Sequence, residues 1–268
     1  MSYRSDDFGD PRFRPAARDD RRSVSHVEPI AVDPRRAYDP RDAYGSPFVA
    51  EALATDRSAF IRRTYFHLAV AVAAFMGLEA ALLGSGLAVP ITTALGRNWW
   101  LALLAFVGVS WLAQWWANSG TSRVWQYLGL ALFVVAEAVI VLPMLYLASR
   151  IDVMIPATAG MLTAMIFLGL TAYVFITGQN FGFLGGFLTI ASLAAIGVIV
   201  AGLIFGFNVG TWFSGAMVAL MAAYILYDTS NVLHRYRTDQ HVAAALALFA
   251  SVATLFFYLL RLLSAFRD

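Results

Sequence analysis

Seven long apolar stretches dominate the chain from about residue 65 onward. They lie at about 65–85, 98–117, 124–148, 156–177, 183–206, 212–233 and 242–263. Each is close to the ~20 residues that an α-helix needs to cross ~30 Å of hydrocarbon. The stretches lack the alternation of apolar and polar residues that marks a strand, and they are rich in Ala, Leu and Gly. The pattern therefore predicts an all-α integral membrane protein with seven transmembrane helices in one bundle.

The first part of the chain has a different pattern. Residues 1–58 are rich in Arg, Asp, Pro and Ser and contain few large apolar side chains. Such a segment buries too little surface to offset the entropy that it would lose on ordering. We therefore predict a disordered cytoplasmic tail over 1–58 and a membrane domain over 59–268.

Composition sharpens this division. Of the 268 residues, 60% are hydrophobic and 13% are charged, and residues 1–63 hold 12 of the 19 basic and 11 of the 17 acidic residues. Every basic residue is an arginine, and there is no cysteine. Lysine Schiff-base chemistry, thiol nucleophiles and thiolate metal sites are therefore excluded. The formal net charge of +2 gives no indication of nucleic-acid binding.

Arginines near the ends of the predicted helices indicate the orientation in the membrane. With the N-terminus inside, the cytoplasmic side carries Arg57, Arg62, Arg63, Arg123, Arg235 and Arg237. The outer side then carries Arg97 and Arg150, so the positive-inside rule predicts a cytoplasmic N-terminus. Arg261 and Arg267 would lie outside if the seventh stretch spans the membrane, which leaves a re-entrant seventh segment as an alternative.

An aspartate near the end of the sixth stretch is the strongest candidate for function. It is Asp228, in the segment YILYDTSNVLHRY at residues 224–236. Helical spacing places Asp228, Asn231 and Arg235 on one face. One hypothesis makes Asp228 a buried carboxylate whose proton is coupled to a cytoplasmic gate. The alternative is a helix exit latched by an ion pair with Arg235, with Arg123 as a second candidate partner.

Two glutamates are further candidates, since ionisable groups at membrane depth are costly. Glu137 lies in the middle of the third stretch, six residues before Pro143, which should kink the helix and free backbone carbonyls. Glu137 either lines a polar cavity or ion path, or is a protonated, hydrogen-bonded structural residue. Glu79 lies towards the outer end of the first stretch, where we expect an interfacial or vestibule role in preference to a place on the ion path.

Motifs for catalysis and metal binding are absent from the sequence. There is no HExxH or GxSxG motif, and Asp228 has no second membrane aspartate with which to form an aspartyl protease pair. His234 and His241 have no third ligand at metal spacing, and the lone His67 is more typical of a hydrogen-bonded packing residue than of a ligand. We therefore predict no enzyme activity, no metal site and no cofactor.

Glycines in the later stretches suggest close contacts between helices, because small residues let helix backbones approach in lipid. The candidates are Gly160, Gly169, Gly185, Gly186, Gly197 and Gly202.

The C-terminal third resembles a known family. YILYDTSNVLHRY, a short polar loop and then HVAAALALFASVATLFFYLLRLL are similar to motifs of the Bax inhibitor-1 (transmembrane BAX inhibitor motif) family. FIRRTYFHLAVAVAAF resembles that family's first helix, so the resemblance covers roughly 57–268. It implies six helices around a central seventh. It also implies a pH-sensitive calcium leak channel whose sensor is a pair of aspartates on the sixth and seventh helices.

Only half of that sensor pair has a counterpart here. Asp228 matches the first aspartate, whereas alignment of ALALFASVATLF places Ser251 at the second aspartate and Thr254 at an asparagine. Two carboxylates can share a proton, but Ser251 offers only a hydroxyl that can donate a hydrogen bond to Asp228. A single anionic ligand also suits calcium less well than two.

The serine resembles the bacterial YccA branch of the family, which is associated with the membrane protease FtsH. We therefore predict a pH-influenced cation leak channel, with calcium as the candidate ion and Asp228 at a cytoplasmic latch. Glu137 and Ser251 would belong to its ion path or pH sensor. The alternative is a non-conducting regulator that binds a membrane AAA protease such as FtsH. In both cases we expect a multi-pass protein of the bacterial inner membrane whose partners are the lipid bilayer and calcium or protons, with no nucleic acid.

Overall fold

The computed structural model describes residues 47–119, 122–206 and 210–267. The predicted tail therefore lies outside the described residues as far as position 46. Within the described ranges the chain forms eight α-helices and one short 3₁₀ helix. In chain order they are α1 (Ala54–Gly84), α2 (Ala88–Arg97), α3 (Trp99–Ala117), α4 (Arg123–Ile151), α5 (Met154–Thr177), the 3₁₀ helix (Phe181–Phe183), α6 (Leu184–Phe205), α7 (Gly210–His234) and α8 (His241–Ala265).

Seven of these helices are long and apolar enough to cross a membrane, by length and composition. This confirms the predicted all-α membrane fold, and most helix ends lie within a few residues of the predicted ones. Helix α1 is the exception, since it begins at Ala54 rather than near residue 65. The short helix α2 was not predicted. Its proline, Pro90, lies in the first turn, where a missing N–H breaks no helical hydrogen bond.

Polar and glycine residues set several of the helix ends. At the start of α4, Ser122 Oγ accepts a hydrogen bond from the N–H of Val124 at 3.2 Å. Helices α5 and α6 end at Gly178 and Gly206, which have φ of 61° and 71°. Glycine adopts this left-handed conformation without a steric penalty, so both helices stop where the chain must turn.

Helix α8 lies at the centre of the bundle. It packs against α1, α3, α4, α5 and α7. In the 18-residue apolar stretch of α8, 67% of the residues are buried. The corresponding value for the segment Phe181–Phe205, which contains α6, is 6%. The central seventh transmembrane helix that the resemblance implied is therefore present.

Helix α8 is also continuous over 25 residues, so the alternative of a re-entrant segment is not supported. Beyond its end, Arg267 forms a salt bridge with Asp152, which directly follows α4. The opposite charge of Asp152 offsets that of Arg267 at this end of the bundle.

Three core helices, α1, α4 and α8, run in the same direction. Near their N-terminal ends, His67 of α1 lies against Tyr127 of α4 and His241 of α8, with ring centroids 5.4 Å and 5.1 Å apart. At the other end, the salt bridge between Asp152 and Arg267 joins the residues that follow α4 and α8. Equal steps along these three helices therefore lead to the same level of the bundle.

A group of phenylalanines, here called the phenylalanine cluster, joins the same three helices further along. Phe249 of α8 contacts Phe75 of α1 and Phe133 of α4 edge to face, with centroids 5.9 Å and 6.0 Å away. Phe75 also contacts Phe256 of α8 at 6.2 Å. Edge-to-face pairs add stability beyond the area that they bury, so the cluster fixes the mutual rotation of the three helices.

A close helix contact occurs at a glycine that was not among those predicted. A Cβ placed on Gly129 of α4 would lie 2.5 Å from the carbonyl oxygen of Ala113 and 2.7 Å from the backbone nitrogen of Ala117, both in α3. Apart from the backbone of the same helix, no described part of the chain has an atom within 4 Å of the equivalent position on four of the predicted glycines, Gly160, Gly169, Gly186 and Gly197. For these four the prediction of close packing is wrong.

Residues 47–52, here called the strap, precede α1 and pair with the loop between α7 and α8. Val49 N–H donates to the carbonyl of Tyr236 at 2.9 Å, and Thr238 N–H donates to the carbonyl of Pro47 at 3.1 Å. Val49 is fully buried. The prediction of disorder is therefore wrong for residues 47–58, because backbone pairing and one apolar anchor hold the strap.

Candidate functional site

Asp228 of α7 contacts the central helix through Ser251. Ser251 Oγ donates a hydrogen bond to Asp228 Oδ2 at 2.6 Å, and the carboxylate is 8% exposed. Ser251 lies ten residues after the start of α8, which corresponds to about 15 Å along the helix axis. The contact between Asp228 and Ser251 that the alignment predicted is confirmed, and it lies well inside the bundle.

The strength of this contact depends on the charge of Asp228. An ionised carboxylate forms a charge-assisted hydrogen bond with the hydroxyl, which is stronger than a bond between neutral groups. A protonated Asp228 keeps only a neutral hydrogen bond to Ser251. Gain of a proton therefore weakens this link between α7 and the central helix.

The predicted ion pair with Arg235 is not formed. Arg235 follows the end of α7 and lies over Gly182 instead, where a Cβ on the glycine would be 2.7 Å from Arg235 Nη2. Arg123, the second predicted partner, lies at the start of α4, near enough to His241 to act on it electrostatically. Asp228 thus has no salt bridge to any residue that the structure describes. Of the predicted partners, only Ser251 reaches the carboxylate.

Asn231 shares a face of α7 with Asp228, but its backbone carbonyl takes part in ending the helix. Its carbonyl oxygen accepts hydrogen bonds from the N–H groups of Arg235 at 2.8 Å and Tyr236 at 3.1 Å. These bonds close the end of α7 and turn the chain towards α8. The side-chain Oδ1 of Asn231 is buried, and no described residue donates a hydrogen bond to it.

The connection between α5 and α6 covers the same end of α7. Phe181 N–H donates a hydrogen bond to Ser230 Oγ at 2.8 Å. The Ser230 hydroxyl in turn donates to the carbonyl of Gln179 at 3.5 Å. A Cβ on Gly185 would lie 3.1 Å from the ring of Tyr227. The residues on both sides of Asp228 are therefore held by this connection.

The charge of Asp228 affects the pKa of Tyr236, which lies in the loop after α7. Burial raises the pKa of Tyr236, and the charges of Asp228 and Tyr227 raise it further. The phenol therefore stays neutral at physiological pH. It cannot add a second negative charge to this end of the bundle.

Glu137 lies on the wall of a cavity of about 580 Å³. One hypothesis placed Glu137 on the wall of a polar cavity or ion path, whereas most of this wall is apolar. Thr254 of α8 lines the same cavity. Glu79 is only 4% exposed, so the expected interfacial role is wrong. It lies in the core of the bundle because it falls on the face of α1 that also carries the buried Phe75.

A family model described as "Inhibitor of apoptosis-promoting Bax1" matches residues 57–268. The chain belongs to the Bax inhibitor-1 family. The matched range contains Asp228, Ser251 and Glu137, whereas the strap precedes it.

Relatives in this family come from bacteria, fungi and plants. An uncharacterized membrane protein of Vibrio cholerae is 29% identical over 193 residues, which cover 69% of this chain and 84% of that protein. Bax inhibitor 1 of Schizosaccharomyces pombe is 32% identical over 115 residues, or 41% of this chain and 42% of that protein. Protein LIFEGUARD 3 of Arabidopsis thaliana is 35% identical over 109 residues, which cover 39% of this chain and 44% of that protein. The chain thus spans about half the length, or less, of several relatives that it matches.

Proposed function

We propose that this Bax inhibitor-1 family member is a non-enzymatic, pH-influenced cation leak channel, with calcium the first ion to test. The observation that carries the proposal is the hydrogen bond between Ser251 and Asp228, which ties α7 to the central helix through a buried carboxylate. The proposed setting is the bacterial inner membrane, with the N-terminus and this latch on the cytoplasmic side.

Proton uptake by Asp228 would shift the equilibrium between closed and open bundles. The charge-assisted bond is worth about 1.5–3 kcal/mol, and a neutral bond about 0.5–1.5 kcal/mol. The difference corresponds to roughly a tenfold change in an equilibrium constant if the closed state alone contains the bond.

The second carboxylate of the proposed path is Glu137. Its place on the cavity wall makes it available to a hydrated cation, while Asp228 contacts the central helix at Ser251, three residues before Thr254 of the same wall. Calcium prefers six to eight oxygen ligands, so a single carboxylate at each point favours passage over tight binding.

Ion flux into proteoliposomes tests the proposal. Wild-type protein should show cation entry that changes between about pH 6 and 8, and Asp228→Asn should weaken the pH dependence because residue 228 can no longer ionise. Ser251→Asp restores the second aspartate of the family sensor and should steepen the pH dependence.

Asp239→Asn is the matched control, since Asp239 is exposed in the loop after α7. It should behave as wild type. If wild type and Asp228→Asn are equally silent at every pH, the protein does not conduct and the channel proposal fails.

A second candidate is a non-conducting regulator that binds a membrane AAA protease such as FtsH. The presence of Ser251 in place of a second sensor carboxylate supports it. Pull-downs from detergent-solubilised membranes, with the whole chain and with residues 1–46 removed, test this role while keeping the strap. The absence of any co-purifying protease in both samples would count against it.

A further inference from the structure

Glu79 and Glu137 occupy equivalent positions on two parallel helices. Each follows by four residues a member of the phenylalanine cluster, Phe75 in α1 and Phe133 in α4, and both of these contact Phe249. Four residues are about one helical turn, so each glutamate lies on the same face as its phenylalanine and one turn further along. The two carboxyl groups therefore lie at the same level of the bundle.

The central helix leaves room for both groups. One turn beyond Phe249 it carries Ala253, which is 3% exposed. An alanine at this level of α8 fills little of the space that another phenylalanine would occupy. Ser251 lies about 200° around α8 from Ala253, so the latch at Asp228 is on a different side of the central helix.

The carboxylate of Glu79 is buried without a partner. It is 4% exposed, and neither of its oxygens has a hydrogen bond from any described residue. Glu137 is near enough to act on it electrostatically. An ionised carboxylate in this position would be costly, and two of them more so.

A cavity lies next to Glu137. The residue lines the cavity of about 580 Å³, whose wall is mostly apolar. A water molecule occupies about 30 Å³ in the liquid, so the cavity can hold several. The buried Glu79 thus lies beside a glutamate that water can reach.

Other titratable groups in this half of the molecule lie on three helices or just after two of them. They are Arg97 on α2, Tyr146 and Arg150 on α4, Tyr258 and Arg261 on α8, and the salt-bridged Asp152 and Arg267. Of these, Tyr258 and Arg261 line the cavity. Helix α3 has no titratable side chain, and that of α5, Tyr173, lies near its far end.

We infer that Glu79 and Glu137 form a coupled pair that binds one proton, which enters through the cavity on whose wall Glu137 lies. A single proton removes one of two like charges in a mostly apolar part of the bundle, where each buried charge is costly. A calcium ion would need six to eight oxygens, and among the described residues no three His, Asp or Glu side chains converge. The pair therefore suits a proton better than a divalent cation.

Modification with dicyclohexylcarbodiimide tests this site without any measurement of ion flux. The reagent is apolar and adds to a protonated carboxyl group, and the N-acylurea product is located by mass spectrometry of peptides. In the full chain, in detergent at neutral pH, Glu137 should be modified. Glu79→Gln removes the neighbouring charge, so Glu137 holds its proton less often and its modification should fall roughly tenfold.

Glu51→Gln is the matched control, since Glu51 is exposed in the strap, and it should leave the modification of Glu137 unchanged. Where Glu79→Gln fails to fold, Glu137→Gln with modification read at Glu79 replaces it. Equal modification of Glu137 in wild type and Glu79→Gln would overturn the coupled pair. Protection of Glu137 by calcium chloride at constant pH would show that a divalent cation, rather than a proton, occupies the site.

Discussion

At the scale of single residues, Ser251 determines what Asp228 can do. A second aspartate there could share a proton with Asp228, whereas the hydroxyl stabilises the charge with one hydrogen bond of 2.6 Å. The alignment of the seventh helix predicted this contact, because the position on α8 is fixed by a continuous motif. The position of Arg235 was not predictable, since it depends on the connection between α5 and α6 that packs beneath it.

The energy of the contact should depend on the charge of Asp228. Ser251→Ala should lower the free energy of unfolding by about 1–3 kcal/mol, because a buried carboxylate loses its donor. In an Asp228→Asn background the same change should cost less. Equilibrium unfolding in mixed micelles measures both values as a double-mutant cycle.

Ser264→Ala is a suitable control for this cycle. Ser264 is also buried in α8, but its hydroxyl donates to the carbonyl of Leu260 at 2.8 Å within the helix. Its effect should be equal in both backgrounds. An equal cost of Ser251→Ala in both backgrounds would mean that the contact does not depend on charge.

At the scale of helices, the apolar pattern predicted the seven membrane helices because length and hydropathy are properties of local sequence. Helix pairing was less accessible, and the glycines show why. Gly129 has the same chemistry as Gly169, yet only Gly129 faces the backbone of another helix. The pairing of Glu79 with Glu137 was missed for the same reason. The sequence shows that Glu79 and Glu137 each follow a phenylalanine, Phe75 or Phe133, by four residues. This spacing indicates a pair only once α1 and α4 are known to be parallel neighbours.

The contact between α3 and α4 should not tolerate a larger residue. Gly129→Ala places a methyl group 2.5 Å from a backbone oxygen, so the two helices must move apart. We expect a loss of about 1–3 kcal/mol, measured as a lower midpoint of thermal unfolding in detergent.

Gly169→Ala provides the comparison at an open position. There the added methyl group meets no neighbour, and alanine favours the helix over glycine by up to about 1 kcal/mol. Its thermal midpoint should be equal to or above that of wild type. A Gly129→Ala variant as stable as Gly169→Ala would show that α3 and α4 are not in close contact.

At the scale of the whole molecule, the strap and the loop after α7 lie together at one end of the bundle, and the connection between α2 and α3 lies at the other. This arrangement follows from backbone pairing between distant segments, which the polar composition of residues 47–58 did not reveal. The two ends can be used to test the predicted orientation in the membrane. The chain has no cysteine, so a single introduced cysteine is the only thiol that a labelling reagent can modify.

Single cysteines at exposed positions should report the side of each end. With the N-terminus in the cytoplasm, Asn98→Cys should react with a membrane-impermeant maleimide in intact cells, and Asp239→Cys only after permeabilisation. Labelling of both variants after permeabilisation controls for accessibility. The reverse pattern in intact cells would place the strap and the Asp228 end outside.

The phenylalanine cluster also has an electrical consequence. Moving one elementary charge through 100 mV changes its energy by about 2.3 kcal/mol, and a membrane voltage falls mainly across the layers with the lowest dielectric constant. The packed rings of Phe75, Phe133 and Phe249 form such a layer, whereas the cavity beyond them has room for water. A proton that reaches Glu137 through the cavity therefore crosses little of the voltage. Occupancy of the glutamate pair should follow the pH of the compartment on the cavity side and be nearly insensitive to membrane potential.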